Sequence, residues 1–450
     1  MKLRKYLKTC TEVYHTTLDP QKPGVARIHL VPPDKPTPGK PWVVIVNGYS
    51  ILPLMSSWAV LLKEFIAAVN QTDGKPLSNE DISELVRKTM DEVRKVFPKT
   101  SPTVLRQDLG QIVGTLRALA VGREPPVETG YMTLAAYAKY MSAPHRMDLL
   151  VSPMTVDGNW NCNQRCLHCY AANQPQACCS QLTTAQWKQV IDNCRKARIP
   201  AITFTGGEPT MRDDLVELID YSRWFVTRLN TNGVRLSLDL CKQLADASLD
   251  SVQVTLYSHD FRIHNGLVGS SHFFDTVEGI KNAVAAGLDV SINTPLCSLN
   301  ASDYVETIKF ARGLGVKYFS CSGLIPAGNA TTADSTVTAL TQKQITAVVK
   351  EAFAYTSTHD AELSFTSPDW IADSVLKKLH MVVPSCGACL SNMAVAPDGS
   401  VVPCQSWLSD KPLGNMLTDK WNKIWKSARC KEIRSKSACT HQKCLLKEEK

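Results

Sequence analysis

The 450-residue sequence predicts an α/β protein built around a parallel sheet, with an α+β region before it and a small cysteine-rich region after it. Three observations predict this. From Met147 to about Ser322, short apolar strands alternate with amphipathic helices. The preceding region places β-like runs ahead of three helical patterns. Six of the sixteen cysteines follow Pro384. At about 150 residues per domain, the length allows roughly three domains. With 44% hydrophobic and 20% charged residues, the composition excludes disorder, collagen and coiled coil. No apolar run reaches the ~18 residues of a membrane span. The basic start MKLRKYLK leads into polar TCTEVYHTTLD rather than an apolar signal-peptide core. A cytoplasmic protein without membrane contact is therefore expected, and a net charge of +8 spread along the chain predicts no nucleic-acid partner.

Residues 1–130 open with two β-like runs, Val25 to Leu30 and Trp42 to Leu52, separated by the proline-rich VPPDKPTPGKP. Trp58, Leu61, Leu62, Phe65, Ile66 and Val69 then recur with the spacing of one buried helical stripe. A second helix begins at Ser78, whose hydroxyl caps the first turn while Asp81 answers from the third position. Ile82, Leu85, Met90, Val93 and Phe97 form its expected apolar face. A third helix runs from about Thr103 to Val121.

Residues 147–335 carry six strands: LLVSPM, AITFTG, TRLNTN, SVQVTL, DVSIN and KYFSCS. Helices separate them, one starting near Thr183, which forms a capping box with Gln186. Six βα units of roughly thirty residues require crossover connections, so the sheet is doubly wound or a barrel. Either architecture binds ligands beyond the carboxyl ends of its strands. Residues 336–383 form a bridging region with a helix from about Thr341 to Tyr355 and a short apolar segment, LSF. Residues 384–450 hold too little apolar sequence for a core of their own, which points to a metal-bound module.

Directly after the first strand, Cys162, Cys166 and Cys169 occur in CNQRCLHC. Three thiolates on one tight loop can hold three corners of a cubane iron–sulfur cluster, which would leave one iron open. A zinc site requires a fourth ligand; His168, lying between two of the cysteines, is assigned to packing beside the loop. The second strand ends in TGGEP, Thr205 to Pro209, where two glycines admit a ligand close to the backbone and Glu208 offers a carboxylate to an ammonium.

Together, CxxxCxxC after strand one and GGEP after strand two resemble the radical S-adenosylmethionine (SAM) superfamily, over about Met147 to Ser322. The resemblance implies a partial (β/α)6 barrel and a [4Fe–4S] cluster on Cys162, Cys166 and Cys169 whose open iron is chelated by SAM. It further implies that the motif Gly206, Gly207, Glu208 and Pro209 holds the methionyl ammonium. Asn232, in the TNG ending strand three, and Thr255, ending strand four, become polar contacts to ribose or carboxylate; the alternative is that both merely close strand-end turns. The implied chemistry is one-electron reduction by a flavodoxin- or ferredoxin-type partner, reductive cleavage of SAM and hydrogen abstraction by a 5′-deoxyadenosyl radical.

In the tail, Cys386, Cys389 and Cys404 frame CGACLSNMAVAPDGSVVPC, whose PDG is a hairpin turn bringing the outer cysteines together. GNM, Trp425, Cys430, Cys439 and Cys444 follow. This arrangement resembles the SPASM or shorter twitch extension of radical SAM enzymes. It implies at least one auxiliary iron–sulfur cluster, on Cys386, Cys389, Cys404 and either Cys439 or Cys444. Two clusters with open positions and a zinc ribbon are the alternatives. Cys10, Cys178, Cys179, Cys194, Cys241, Cys297 and Cys321 are assigned as core or incidental thiols, with Cys321, at the end of strand six, able to face the site.

Two strands followed by three helices at the front resemble the winged-helix peptide-recognition domain of many maturases of ribosomally made peptides. In that fold a leader peptide adds as a strand to a sheet edge, and Lys2, Arg4, Lys5 and Lys8 would attract an acidic leader. A packing domain with a solvated basic terminus is the alternative. The expected function is a radical SAM maturase that installs an oxidative crosslink, thioether or carbon–carbon, in a leader-bearing precursor peptide. A radical SAM enzyme acting on a small molecule or a folded protein such as a sulfatase, and a non-catalytic iron–sulfur electron-transfer protein, are the competing expectations.

Overall fold

The computed structural model describes residues 2–17, 27–48, 50–72, 77–121, 123–126, 134–331, 337–368, 370–408, 411–439 and 443–448. The chain forms two compact units, one of residues 1–145 with 194–201 and 224–226, the other of 146–193, 202–223 and 227–450.

The first unit holds a four-stranded antiparallel sheet of β1 (Tyr14–Thr17), β2 (Arg27–Val31), β3 (Trp42–Val46) and β4 (Ser50–Leu54), in that order. The expected single run from Trp42 to Leu52 is in fact the β3–β4 hairpin. Asn47 and Gly48 turn it, with φ of 51° and 78°, and Asn-Gly is the dipeptide that tolerates such values best. Val25 of the other expected run lies outside the described residues. Neither β1 nor the short helix Leu3–Leu7 was expected.

Helices Ser56–Val69, Asn79–Val96 and Pro102–Ala120 follow the sheet. Leu61, Leu62 and Ile66 of the first are buried with Ile28, Leu30, Val44 and Val46 in one core, where each large aliphatic side chain contributes about 1.5–3 kcal/mol relative to exposure. The second helix has the expected capping box: Asp81 N–H donates to Ser78 Oγ at 3.1 Å, and Ser78 N–H to Asp81 Oδ2 at 2.9 Å. Its buried face is Leu85, Thr89, Met90, Val93 and Val96. Ile82 is 47% exposed, contrary to expectation, because the first turn runs out past the core.

The second unit is built on a ten-stranded sheet. Its strands are β5 (Arg146–Ser152), β8 (Ala201–Gly206), β9 (Val226–Thr231), β10 (Ser251–Thr255), β11 (Asp289–Pro295), β12 (Tyr318–Ser322), β13 (Glu362–Phe365), β14 (Asn392–Val395), β15 (Ser400–Val402) and β16 (Gly414–Asn415). The two-residue strands β6 (Thr155–Val156) and β7 (Asn159–Trp160) form a separate hairpin. The sheet order is β13-β12-β11-β10-β9-β8-β5-β14-β15-β16, which supplies the parallel-stranded partial barrel. All six expected strands are present. The LSF segment, expected only as a short apolar stretch, pairs in parallel with β12 as a further strand, β13.

Among the described residues, the strands of the tail all belong to the barrel sheet. Met393 pairs in parallel with Met147 and Val395 with Leu149, so β14 continues the barrel sheet beyond β5. Burial on that shared sheet replaces the independent core the tail lacks. The PDG turn closes the β14–β15 hairpin as expected, with Ala396 N–H donating to Ser400 O at 2.8 Å and Gly399 at φ 87°. Among the described residues, no helix is long and apolar enough to cross a membrane.

Candidate functional site

Alternation along the inner strands sorts side chains between the helices and a central cavity. On β11, Val290, Ile292 and Thr294 are buried, while Ser291 and Asn293 between them are only partly covered. Asn293 joins Arg228, Asn230, Gln253, Thr255 and Ser320 in lining a cavity of about 520 Å³. On β12 the same alternation turns Cys321 away from the cavity, correcting the expectation that it faces the site; its thiol contacts the Ser364 carbonyl at 3.8 Å.

The cysteine loop follows β5 and is fixed at many points. Asn161 N–H donates to Met154 O at 2.8 Å, and Trp160 Nε1 donates to Gln164 O at 2.9 Å. Arg165 and Leu167 N–H donate to Val268 and Leu267 carbonyls at the end of the helix Phe261–Val268. Asn329 Nδ2 donates to Cys166 O at 3.1 Å. Thus held, Cys162, Cys166 and Cys169 all border the cavity. Among the described residues no three His, Cys, Asp or Glu side chains close around a single ion; these thiols surround a space instead. His168, as expected, packs, with its ring edge-on to Tyr257 at 4.9 Å.

The GGEP turn is set against β5 at van der Waals limits. A Cβ on Gly206, whose φ is 140°, would meet Ser152 O at 2.3 Å, so glycine is required there. Pro209 is buried and opens a single 3-10 turn, Pro209–Met211. Arg212 braces that turn, donating to Val151 O at 3.1 Å and pairing with Asp214.

Glu208 is buried, yet its carboxylate is well supplied with donors. Oε1 accepts from Thr210 N–H at 3.0 Å, Thr210 Oγ1 at 2.6 Å and Thr231 Oγ1 at 2.7 Å; Oε2 accepts from Asn232 N–H at 2.8 Å. Burial raises its pKa, and these hydrogen bonds oppose the rise. With one protein donor on Oε2, that oxygen keeps accepting capacity toward the cavity. The Asn232 amide is committed within the protein, donating to Asn163 Oδ1 at 2.6 Å and accepting from Val234 N–H at 3.1 Å. Thr255 ends β10 opposite Asn293 and lines the cavity without a comparable network.

Two family models match the chain: the radical SAM superfamily over residues 161–323, and SPASM, an iron–sulfur cluster-binding domain, over 386–445. The chain carries a radical SAM domain followed by an SPASM domain. Mycofactocin maturase MftC of Mycobacterium tuberculosis is 27% identical over 64% of this chain and 74% of its own. A probable GTP 3′,8-cyclase of Methanopyrus kandleri is 31% identical over 39% of this chain and 59% of its own. The crystal structure of Streptococcus suis SuiB bound to precursor peptide SuiA shares the fold, with a TM-score of 0.59 at 14% identity, covering 88% of this chain and 87% of that one.

The radical SAM domain implies a [4Fe–4S] cluster with SAM, and the residues present fit that pair. Burial pushes the Cys162 thiol up to about 12 and raises Cys166 and Cys169 as well; bound iron deprotonates such thiols outright. Gln164 Nε2, beside the cysteine loop, borders the same cavity as a buried polar atom without a protein partner, a donor open to a polar cofactor.

In the SPASM domain, Cys386, Cys404 and Cys444 border the cavity too. Cys389 and Cys404 are joined through Cys389 N–H donating to Pro403 O at 3.1 Å, but the Cys389 thiol lies beside Cys430, which sequence reading had left out of the ligand set. Arg434 Nη1 is 3.4 Å from Cys430 Sγ, and this neighbourhood holds the Cys430 pKa below its ordinary value, the Cys389 contact contributing most. Cys439, the last residue of the helix Ala428–Cys439, is exposed. Because β14 runs parallel to β5, Cys386 precedes the strand end opposite to the one the radical SAM cysteines follow. The two thiol sets therefore bound one cavity at opposite ends of its strands.

Proposed function

We propose that this enzyme matures a ribosomally made precursor peptide, and that the product carries an oxidative crosslink, thioether or carbon–carbon. The observation that carries the reading is the single cavity bounded at one end by Cys162, Cys166 and Cys169 and at the other by Cys386, Cys404 and Cys444. Closing a bond between two positions that each lose hydrogen removes two electrons. A cluster with SAM supplies the chemistry that takes the first as a hydrogen atom; the second electron needs an acceptor, and the far thiol set is placed to hold one. Glu208, fixed by Thr210, Thr231 and Asn232, would orient the methionyl ammonium against the cysteine loop. The cofactor-site roles of Gly206, Gly207, Pro209 and Thr255 rest on the same placement.

Leader recognition is assigned to the first unit, whose β2, β3 and β4 followed by three helices match the element order of a peptide-binding winged helix. An extended leader would extend the sheet at an open edge. At the β1 edge, Asn70 Nδ2 already donates to His15 O at 2.8 Å, which favours β4. A flavodoxin- or ferredoxin-type reductant completes the scheme.

The test is coexpression with each short open reading frame encoded beside the gene, followed by mass spectrometry of the peptide. A peptide lighter by two hydrogens per crosslink, absent when Cys166 is replaced by Ala, supports the reading. Vigorous SAM cleavage with every neighbouring peptide left at its encoded mass points instead to a small-molecule or folded-protein substrate.

A further inference from the structure

We propose that the deep end of the cavity is a carboxylate-binding subsite centred on Arg228; the proposal rests on the peptide-maturase reading and names the group that the substrate must carry. Arg228 lies on β9 and lines the cavity, exposed to that space although protein surrounds it on most sides. Its Nε donates weakly to Ser251 Oγ at 3.3 Å, and among the described residues no carboxylate lies within ion-pair distance. Asp148, which might have neutralised it, is taken by Arg146, with Nε to Oδ1 at 2.7 Å and Nη2 to Oδ2 at 3.3 Å. Asp289, on β11 two strands away, attracts Arg228 only through space, as Asp148 does, while burial and the Arg146 charge lower the guanidinium's pKa without discharging it.

A second, independent feature points to a ligand. Thr203 is 1% exposed, borders the same cavity, and its hydroxyl has no protein partner; Asn230, two residues beyond Arg228 on β9, holds a buried Oδ1 in the same condition. A guanidinium fork, a hydroxyl donor and one amide acceptor match a carboxylate flanked by a peptide N–H. The Asp289 carboxylate, which is not taken up by Arg146, disfavours a dianion such as phosphate, so the fit is to a single negative charge.

The placement also sets a spacing. Arg228 precedes Asn232, the residue tied to the cysteine loop, by four residues, or about 13 Å along the strand. An extended peptide covers that distance in roughly four residues. The carboxylate therefore comes from the peptide's own C-terminus or from an Asp or Glu about four residues from the modified position.

The experiment labels Arg228 with phenylglyoxal in the purified full chain and quantifies the label by peptide-mapping mass spectrometry. N-acetyl-alanine presents a terminal carboxylate, N-acetyl-aspartic acid α-amide presents a side-chain carboxylate, and N-acetyl-alanine amide presents neither. At saturation one or both carboxylates should slow labelling of Arg228 by about tenfold, and which of them does so identifies the source. Saturation-transfer NMR of the protecting probe should fall to background with Arg228→Gln that retains the wild-type melting transition. Labelling that is indifferent to both carboxylates, or slowed equally by the neutral amide or by inorganic phosphate, overturns the subsite. Because no turnover is involved, that failure is distinct from failure of the coexpressed peptide to change mass.

Discussion

Asn232 ties the end of β9 to the cysteine loop, its side-chain amide donating to Asn163 Oδ1 at 2.6 Å while its backbone N–H holds Glu208. One residue thus sets the GGEP carboxylate and the cluster loop relative to each other. A hydrogen bond of this kind is worth about 1 kcal/mol.

If that bond is how Asn232 acts, Asn232→Ala, Asn163→Ala and the double variant should release iron from the radical SAM site equally fast during anaerobic dialysis, each faster than wild type. Paired residues couple, and independent ones add. A double variant that loses iron at the summed rate would show that Asn232 contributes by another route, such as direct contact with SAM.

The two glycines of the GGEP turn should rank differently. A methyl on Gly206 meets the Ser152 carbonyl at 2.3 Å in a left-handed backbone region, whereas on Gly207 the nearest atoms are Pro153 O at 3.1 Å and the flexible Met154 Sδ at 3.3 Å. Gly206→Ala should therefore abolish SAM binding by equilibrium dialysis, and Gly207→Ala should weaken it by about tenfold, equivalent to ~1.4 kcal/mol. Equal affinities for the two variants would contradict the close approach of β8 to β5.

What was legible in the sequence follows from locality. Cys162, Cys166 and Cys169 sit on one loop and GGEP on one turn, so spacing alone revealed them. The capping boxes at Ser78 and Thr183 lie within single turns and were equally readable. Thr203, Arg228, Asn230, Gln253 and Ser320 were missed because they meet only when five strands assemble. A signal existed: polar residues recur at every second position of otherwise apolar strands, as in Arg228-Asn230 and Ser320-Ser322. Asn47-Gly48 was likewise a visible hairpin signal inside a run taken as one strand. That β14 would join the barrel sheet had no local signature.

Acid should loosen the first unit through His29. Its Nε2 is 3.1 Å from Trp224 O, and burial holds its pKa down to about 3. An unfolded histidine takes up its proton near pH 6.5, so the folded state keeps this stability above about 6.5 and loses up to ~1.4 kcal/mol per pH unit as pH falls from there toward about 3. Hydrogen exchange of β2 amides, corrected for intrinsic rates, should lose protection more steeply with acid in the wild type than in His29→Gln. Parallel slopes would remove His29 from the account.

The tail cysteines allow a sharper discrimination than spacing did. Cys386, Cys404 and Cys444 border one cavity, Cys389 lies against Cys430, and Cys439 is exposed at a helix end. In a background lacking Cys162, Cys166 and Cys169, every iron atom belongs to the SPASM domain, so single replacements there report ligand membership directly. Cys404→Ser and Cys444→Ser should each lose most of the iron of a cubane, roughly four atoms per chain, with Cys439→Ser indistinguishable from its parent. Cys430→Ser decides between one auxiliary cluster and two. If Cys389 and Cys430 hold a second cluster, that variant loses a separable fraction of the iron and of the electron paramagnetic resonance signal, leaving the Cys404-dependent fraction intact. If Cys389 serves the same cluster as Cys404, Cys430→Ser leaves the iron unchanged. A loss with Cys439→Ser as large as with Cys444→Ser would displace Cys444 from the ligand set.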